Sequence, residues 1–93
     1  MKPLTSLKAV PFEATKIEHG FWHDLQQLDA DVSIWSIYEQ FQETGRFDAM
    51  NCHWEEGKGP KPHIFWDSDI AKWCESAAYL LVRSRDPRLE EIV

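Results

Sequence analysis

Residues 21–43 carry a repeated apolar spacing that limits, more than any other feature, how this chain can fold. Large apolar side chains recur there at alternating steps of four and three residues, at Phe21, Leu25, Leu28, Val32, Trp35 and Tyr38. That spacing forms one stripe on an α-helix, so the sequence predicts a long helix over 21–43 that ends before Gly45. A second stripe covers the C-terminal half of this helix, at Ile34, Ile37 and Phe41. We therefore expect that half to be buried on more than one side.

A second helix is predicted over 68–84, and a third is predicted to begin at Asp86. The apolar face of the second helix consists of Ile70, Trp73, Cys74, Ala77 and Leu81. Acidic and hydroxyl side chains suit an N-cap and first turn because they accept backbone N–H groups and complement the helix dipole; here they are Asp67, Ser68 and Asp69. Asp86 is a further cap, followed by Pro87 at the first helical position. Since the chain stops about two turns later, we expect a truncated helical domain.

The remaining segments are an N-terminal stretch over 1–19 and a connection over 45–66. We expect the first to be irregular, with short extended pieces at 7–12 and 15–17. Gly57, Gly59, Pro60 and Pro62 prevent regular structure in the second. This connection also carries Cys52, His53, Trp54, His63, Phe65 and Trp66. Disordered linkers are poor in aromatic residues, so the pattern predicts an ordered, functional loop within a unit spanning 20–93.

Size, charge and cysteine content exclude several classes of protein. The 93 residues allow one small domain, which must accommodate five Trp, five Phe and two Tyr. A net charge of −6 argues against nucleic-acid binding. The longest apolar run, residues 77–82, is too short to span a bilayer. The N-terminus lacks the apolar core of a signal peptide, so we expect a cytoplasmic protein whose two cysteines are free thiols.

The two carboxylates Asp67 and Asp69 are the first candidates for chemistry. They lie two residues apart in the sequence, and at that spacing on a helix their side chains do not face each other. A catalytic pair acting on one bond is therefore not predicted. Two compatible interpretations stay open: these residues cap the helix, or they contact a ligand at the mouth of a site.

Metal binding and nucleophilic catalysis find little support in the sequence. The histidines and cysteines are His19, His23, Cys52, His53, His63 and Cys74. They lack the paired short spacings of zinc sites, so no metal site is predicted within this chain. There is also no nucleophile elbow. The aromatic residues Trp54, Phe65, Trp66 and Trp73 either form a platform for the face of a sugar or pack between helices.

Several stretches of the chain, taken in order, resemble a known enzyme family. Gly20-Phe21-Trp22 precedes the long helix, and Thr44-Gly45-Arg46-Phe47-Asp48-Ala49-Met50-Asn51 ends it. Phe65-Trp66-Asp67-Ser68-Asp69-Ile70-Ala71-Lys72-Trp73 follows, with Glu75, Ala77, Ala78 and Tyr79, and then Asp86-Pro87 and Leu89. Over about residues 17–93 the chain looks like the N-terminal part of glycoside hydrolase family 127, the β-L-arabinofuranosidases and their relatives.

The resemblance implies the first helices of an (α/α)6-barrel catalytic domain, incomplete in this chain. It implies retaining hydrolysis of β-L-arabinofuranosides, with a zinc-bound cysteine as nucleophile and a glutamate as acid/base. Those residues lie downstream in the family, so Cys52, Cys74 and Glu75 receive no catalytic or zinc-binding role. The matching positions carried over as substrate-binding candidates near the barrel mouth are Asn51, Trp66, Asp67, Ser68 and Asp69.

A second hypothesis is a self-contained small helical module that oligomerises or docks on a partner through its exposed apolar faces. Under the first hypothesis the partner is a carbohydrate substrate and the full-length protein is an enzyme. Under the second hypothesis the chain has no enzymatic activity. The sequence leaves open whether the natural chain is longer, and it does not specify the preferred sugar or linkage.

Overall fold

The computed structural model describes residues 6–93 as a set of packed helices. A short 3-10 turn at Phe12–Ala14 is followed by α1 (Phe21–Leu28), α2 (Ile34–Glu43), α3 (Arg46–Ala49), α4 (Trp66–Arg83) and α5 (Pro87–Ile92). A π-helical segment, Asp29–Ser33, joins α1 directly to α2. No β-strand occurs within residues 6–93. The prediction of a mainly α chain is therefore confirmed.

The predicted helix over 21–43 is helical throughout, but its two apolar stripes differ in how far they are buried. The π-helical segment interrupts the α-helical register between the two halves. Ile34, directly after this segment, is 1% exposed, whereas Phe21, Leu28 and Val32 are 67%, 51% and 54% exposed. The first half of the stripe therefore lies on the surface, and the second stripe supplies the buried side chain.

The core lies between α2, α4 and α5. Its fully buried members are Ile34, Trp73, Ala77, Leu80 and Leu89. The indole Nε1 of Trp73 donates a hydrogen bond of 2.9 Å to the carbonyl oxygen of Ile34, which ties α4 to the start of α2. On α4 the predicted apolar face is confirmed at Ile70, Trp73 and Ala77, while Leu80, which was not predicted, is more buried than Leu81.

An aromatic cluster of Tyr38, Phe41, Phe47 and Trp73 extends this core toward α3. The ring of Phe47 lies 5.2 Å from that of Tyr38, 5.8 Å from that of Phe41 and 6.1 Å from that of Trp73, between ring centroids. The Tyr38 and Trp73 rings are 5.5 Å apart. These contacts hold α3 against both α2 and α4, which makes a helix of only four residues part of the packed structure.

The predicted N-cap is wrong for α4 and correct for α5. α4 begins at Trp66 rather than at residue 68, and its N-cap is Phe65, with no side-chain capping bond. Asp67 and Asp69 lie in the first turn as predicted, but the prediction of a side-chain N-cap in this group is wrong. Asp86 does cap α5, because its carboxylate accepts hydrogen bonds from the backbone N–H groups of Arg88 and Leu89, at 3.0 and 3.4 Å.

The predicted irregular segments are also revised in detail. The extended pieces expected at 7–12 and 15–17 form no strand, and Phe12 instead opens the 3-10 turn and packs its ring 4.8 Å from that of Tyr79. Residues 1–5 of the predicted segment lie outside the described residues. The connection expected over 45–66 contains α3 at its beginning, so turns and irregular backbone cover 50–65. No helix in the described chain has the length and apolarity needed to cross a membrane.

Candidate functional site

A cleft of about 320 Å³ lies between α3 and the connection that follows it. Three segments form its walls: the end of α2, the helix α3, and residues 51–62. The polar and aromatic side chains that line it are Thr44, Asp48, Asn51, His53, Trp54, Lys58 and Lys61. This volume lies at the small end of the range for small-molecule pockets, about 300–1,000 Å³. We call it the loop cleft.

The chain turns sharply at both ends of the loop cleft. Gly45 follows α2 with φ of 76°, which confirms the predicted stop and lets α3 begin at once. Cys52 adopts a positive φ of 55°, which is uncommon for a residue with a side chain. Beyond it, the indole Nε1 of Trp54 donates to the carbonyl oxygen of Gly59 at 3.3 Å. This bond closes the irregular loop on itself and fixes the edge of the Trp54 ring.

The side chains of the loop cleft mix both signs of charge. Asn51 donates a hydrogen bond of 3.3 Å from Nδ2 to the carboxylate of Asp48. Lys58 pairs with Glu55 at 2.8 Å on the open surface, where ion pairs contribute little to stability. Lys61 has no ion-pair partner within residues 6–93. The cleft therefore offers a carboxylate, an amide and an ammonium group beside one aromatic ring.

Four of the five predicted substrate-binding residues lie elsewhere, on the first turn of α4. Asp69 accepts a hydrogen bond of 3.3 Å from Nε of Arg46, and the two side chains are 26% and 18% exposed. The hydroxyl of Ser68 donates to the carbonyl oxygen of Phe65, and Asp67 accepts from the backbone N–H of Ser68. The hydrogen bonds of Asp67 and Ser68 therefore stay at the start of α4, and the ion pair of Asp69 joins α4 to α3.

The structure thus separates the predicted set. Asn51 lines the loop cleft, whereas none of residues 66–69 does. Asp69 instead borders a smaller, mostly apolar groove of about 200 Å³ between α2 and α4, beside Phe41 and Trp73. Sequence reasoning noted His53 and Trp54 in the loop, but it did not assign roles to Asp48 or Lys61.

The proposed aromatic platform of Trp54, Phe65, Trp66 and Trp73 is not formed. Trp73 is 4% exposed in the core, while Trp54 is 37% exposed on the wall of the loop cleft. Phe65 is 58% exposed and its ring contacts His63 instead. Core packing is therefore correct for Trp73, whereas Trp54 lines the loop cleft.

The sulfur and imidazole groups are dispersed. Cys52 is exposed and Cys74 is half-buried, and both are free thiols, as predicted. Among the described residues, no three His, Cys, Asp or Glu side chains lie close enough together to hold a metal ion. No protein-family model, curated protein or solved structure matches the chain.

Proposed function

We propose that this chain supplies the first helices of a barrel-type glycosidase that resembles glycoside hydrolase family 127 and hydrolyses β-L-arabinofuranosides. One observation carries the proposal. Two of the sequence stretches that bear the resemblance, 44–51 and 65–73, pack against each other although they are distant in the chain. Arg46 from the first pairs with Asp69 from the second, and Phe47 contacts Trp73 at 6.1 Å.

The exposed apolar face of α1 supports the same proposal. Phe21, Trp22, Leu25 and Leu28 are 67%, 66%, 40% and 51% exposed. Helices of a two-layered barrel bury faces against neighbours on more than one side, and such neighbours would cover this face. In this proposal the zinc-bound cysteine and the acid/base glutamate belong to other parts of the enzyme. The free thiols Cys52 and Cys74 suit a reducing, cytoplasmic location.

The test begins with the mass of the natural gene product in the source cells. We expect a mass several times 10.9 kDa and hydrolysis of p-nitrophenyl β-L-arabinofuranoside by the purified protein. The α-anomer is the control substrate, since a retaining enzyme for β-linkages leaves it intact. Loss of activity on zinc chelation, and recovery on adding zinc, is also expected. A natural product of 10.9 kDa, or a longer one inactive on the β-anomer, contradicts the proposal.

A second candidate function, self-association as a helical interaction module, is favoured by the amount of exposed surface. The chain exposes 7994 Å², whereas a compact monomer of its mass exposes about 5,600 Å². Its radius of gyration is 18.1 Å, against about 12 Å for a compact domain of this length. The excess is larger than the roughly 800 Å² that each partner contributes to a standard interface.

Light scattering after size exclusion tests this second candidate. We expect the purified 93-residue chain to form a dimer whose contact is the exposed face of α1, and Leu28→Glu to shift it to a monomer. Ile64→Glu is the matched control, because Ile64 is also exposed, at 79%, but lies in the loop before α4. A wild-type monomer at all concentrations, or equal effects of the two variants, argues against a dimer through α1.

A further inference from the structure

We infer that the loop cleft binds a single neutral sugar unit, with Trp54 as its aromatic floor. This inference deepens the proposed function and rests on it for the choice of an arabinofuranoside as first ligand. It concerns a site separate from residues 66–69, which the family resemblance had pointed to. Three features of the loop cleft support it: the volume of the cleft, the fixed position of the Trp54 ring, and the mixture of polar side chains around that ring.

The size of the loop cleft suits one sugar ring. Its volume is about 320 Å³, and it opens to solvent. Pockets for drug-sized ligands extend from about 300 to 1,000 Å³, so this cleft holds a ligand at the lower end of that range. An open, small cleft fits one ring of a glycoside whose remaining part extends into solvent. It does not fit an extended apolar ligand, because charged and polar side chains such as Asp48, Asn51 and Lys61 line it.

The Trp54 ring is positioned before any ligand arrives. Its Nε1 donates to the carbonyl oxygen of Gly59 at 3.3 Å, so one edge of the indole is held by the loop. The side chain remains 37% exposed, which leaves ring surface available in the cleft. The C–H face of a sugar is apolar and packs well on an aromatic ring through dispersion. A ring already fixed in place reduces the entropy lost on binding.

The polar groups around Trp54 match the hydroxyl groups of a sugar. Each sugar hydroxyl both donates and accepts a hydrogen bond, so a site needs acceptors and donors side by side. Asp48 supplies carboxylate oxygens, Asn51 supplies an amide already hydrogen-bonded to Asp48, and Lys61 supplies an ammonium group that makes no ion pair within residues 6–93. Because Lys58 is paired with Glu55, the remaining charged groups of the cleft are the carboxylate of Asp48 and the ammonium of Lys61, which are opposite in sign, and this balance favours a neutral ligand.

Ligand-observed saturation-transfer NMR tests the inference on the purified chain, because the method detects small ligands that bind weakly and exchange rapidly, and all variants are compared at one protein concentration. The probes are methyl β-L-arabinofuranoside and methyl β-D-glucopyranoside, with glycerol as a small polyol control. A single sugar unit on an open site predicts a dissociation constant on the order of 1 mM. We expect saturation transfer to at least one glycoside and none to glycerol.

The variants separate the loop cleft from the rest of the surface. Trp54→Ala is expected to weaken binding at least about tenfold, since the aromatic floor is lost. Asp48→Ala is a second variant that leaves the Trp54–Gly59 bond intact, and it is expected to weaken binding severalfold. Phe65→Ala is the matched control, because Phe65 is an aromatic residue that is 58% exposed, lies outside the cleft and is not part of the apolar face of α1.

Each outcome has a definite meaning. Binding of either glycoside that Trp54→Ala weakens at least about tenfold and Phe65→Ala preserves supports the inference. A preference for the glucopyranoside at this cleft keeps the inference and counts against an arabinofuranosidase. No saturation transfer to either glycoside, or equal losses in Trp54→Ala and Phe65→Ala, overturns the inference. The hydrolysis assay on the natural gene product decides the proposed function separately.

Discussion

Replacing Trp73 by phenylalanine tests how α4 is held against α2. Trp73 is 4% exposed, and its Nε1 donates a 2.9 Å hydrogen bond to the carbonyl oxygen of Ile34. Trp73→Phe removes that bond, which contributes about 0.5–1.5 kcal/mol. It also removes the five-membered part of the ring, about 40 Å² of buried apolar surface, which amounts to roughly 1 kcal/mol. We therefore expect Trp73→Phe to lower the free energy of unfolding by about 2 kcal/mol.

The assay is urea unfolding followed by far-ultraviolet circular dichroism, at two protein concentrations to account for association. With a slope of about 1–3 kcal/mol per molar urea, the midpoint should fall by roughly 1–2 M and the slope should stay constant. Trp54→Phe is the matched control, because it makes the same change at a residue that is 37% exposed and also donates its indole N–H to a carbonyl. We expect it to cost less than about 0.5 kcal/mol.

Two results would refute this reasoning. A Trp73→Phe variant with wild-type stability would mean that the hydrogen bond to Ile34 and the packing around the ring contribute nothing. Equal losses in the Trp73 and Trp54 variants would mean that burial does not distinguish the two sites. Trp73→Ala provides a scale for comparison, since removing a buried aromatic side chain costs about 3–5 kcal/mol.

Three further changes have definite expected outcomes in the same unfolding assay. Asp86→Ala removes the α5 cap and should cost about 1 kcal/mol, while Asp86→Asn keeps an accepting oxygen and should cost little. Burial raises the pKa of Asp29 above its ordinary value of 3.8, so the ionised side chain opposes folding. Asp29→Asn should therefore be more stable than wild type at pH 7. This advantage should vanish below pH 3.8, where the Asp29 side chain is neutral like that of asparagine. A double-mutant cycle on Arg46→Ala and Asp69→Ala should give a coupling free energy of about 0.5–1 kcal/mol, because the pair is only partly shielded from water. A coupling free energy of zero would mean that the Arg46–Asp69 ion pair does not help to hold segments 44–51 and 65–73 together.

The long helical segment over 21–43 and the helices α4 and α5 could be predicted from the sequence because their signals are local, whereas α3 was not predicted. The apolar spacing over 21–43 and the cap at Asp86 each act within a few residues of the backbone that they organise. Gly45 ends α2 for the same reason, since a positive φ is a property of that one residue. The start of α4 was less well predicted, because Asp67 and Ser68 lie inside the first turn and not at its cap.

The candidate site could be predicted only in part. Asn51 and the aromatic loop are recognisable from residue types, but the loop cleft depends on where α3 lies relative to residues 51–62. Asp69 reads as a free first-turn carboxylate in the sequence, yet it pairs with Arg46, 23 residues earlier. The residues next to Asp69 in the sequence do not indicate this pairing, because it depends on the packing of α3 against α4 through Phe47 and Trp73.

The sequence by itself determined that segments 21–43 and 68–83 are helical and that a third helix begins after Asp86, because backbone hydrogen bonding within a helix is local. Only the tertiary structure decided which faces are buried. Spacing tells which side chains share a face, but the π-helical segment at Asp29–Ser33 separates the register of α1 from that of α2. For that reason Ile34 is in the core while Phe21 and Leu28 lie on the surface. A side chain is buried only where two surfaces meet, and the sequence pattern of one helix specifies only one of those two surfaces.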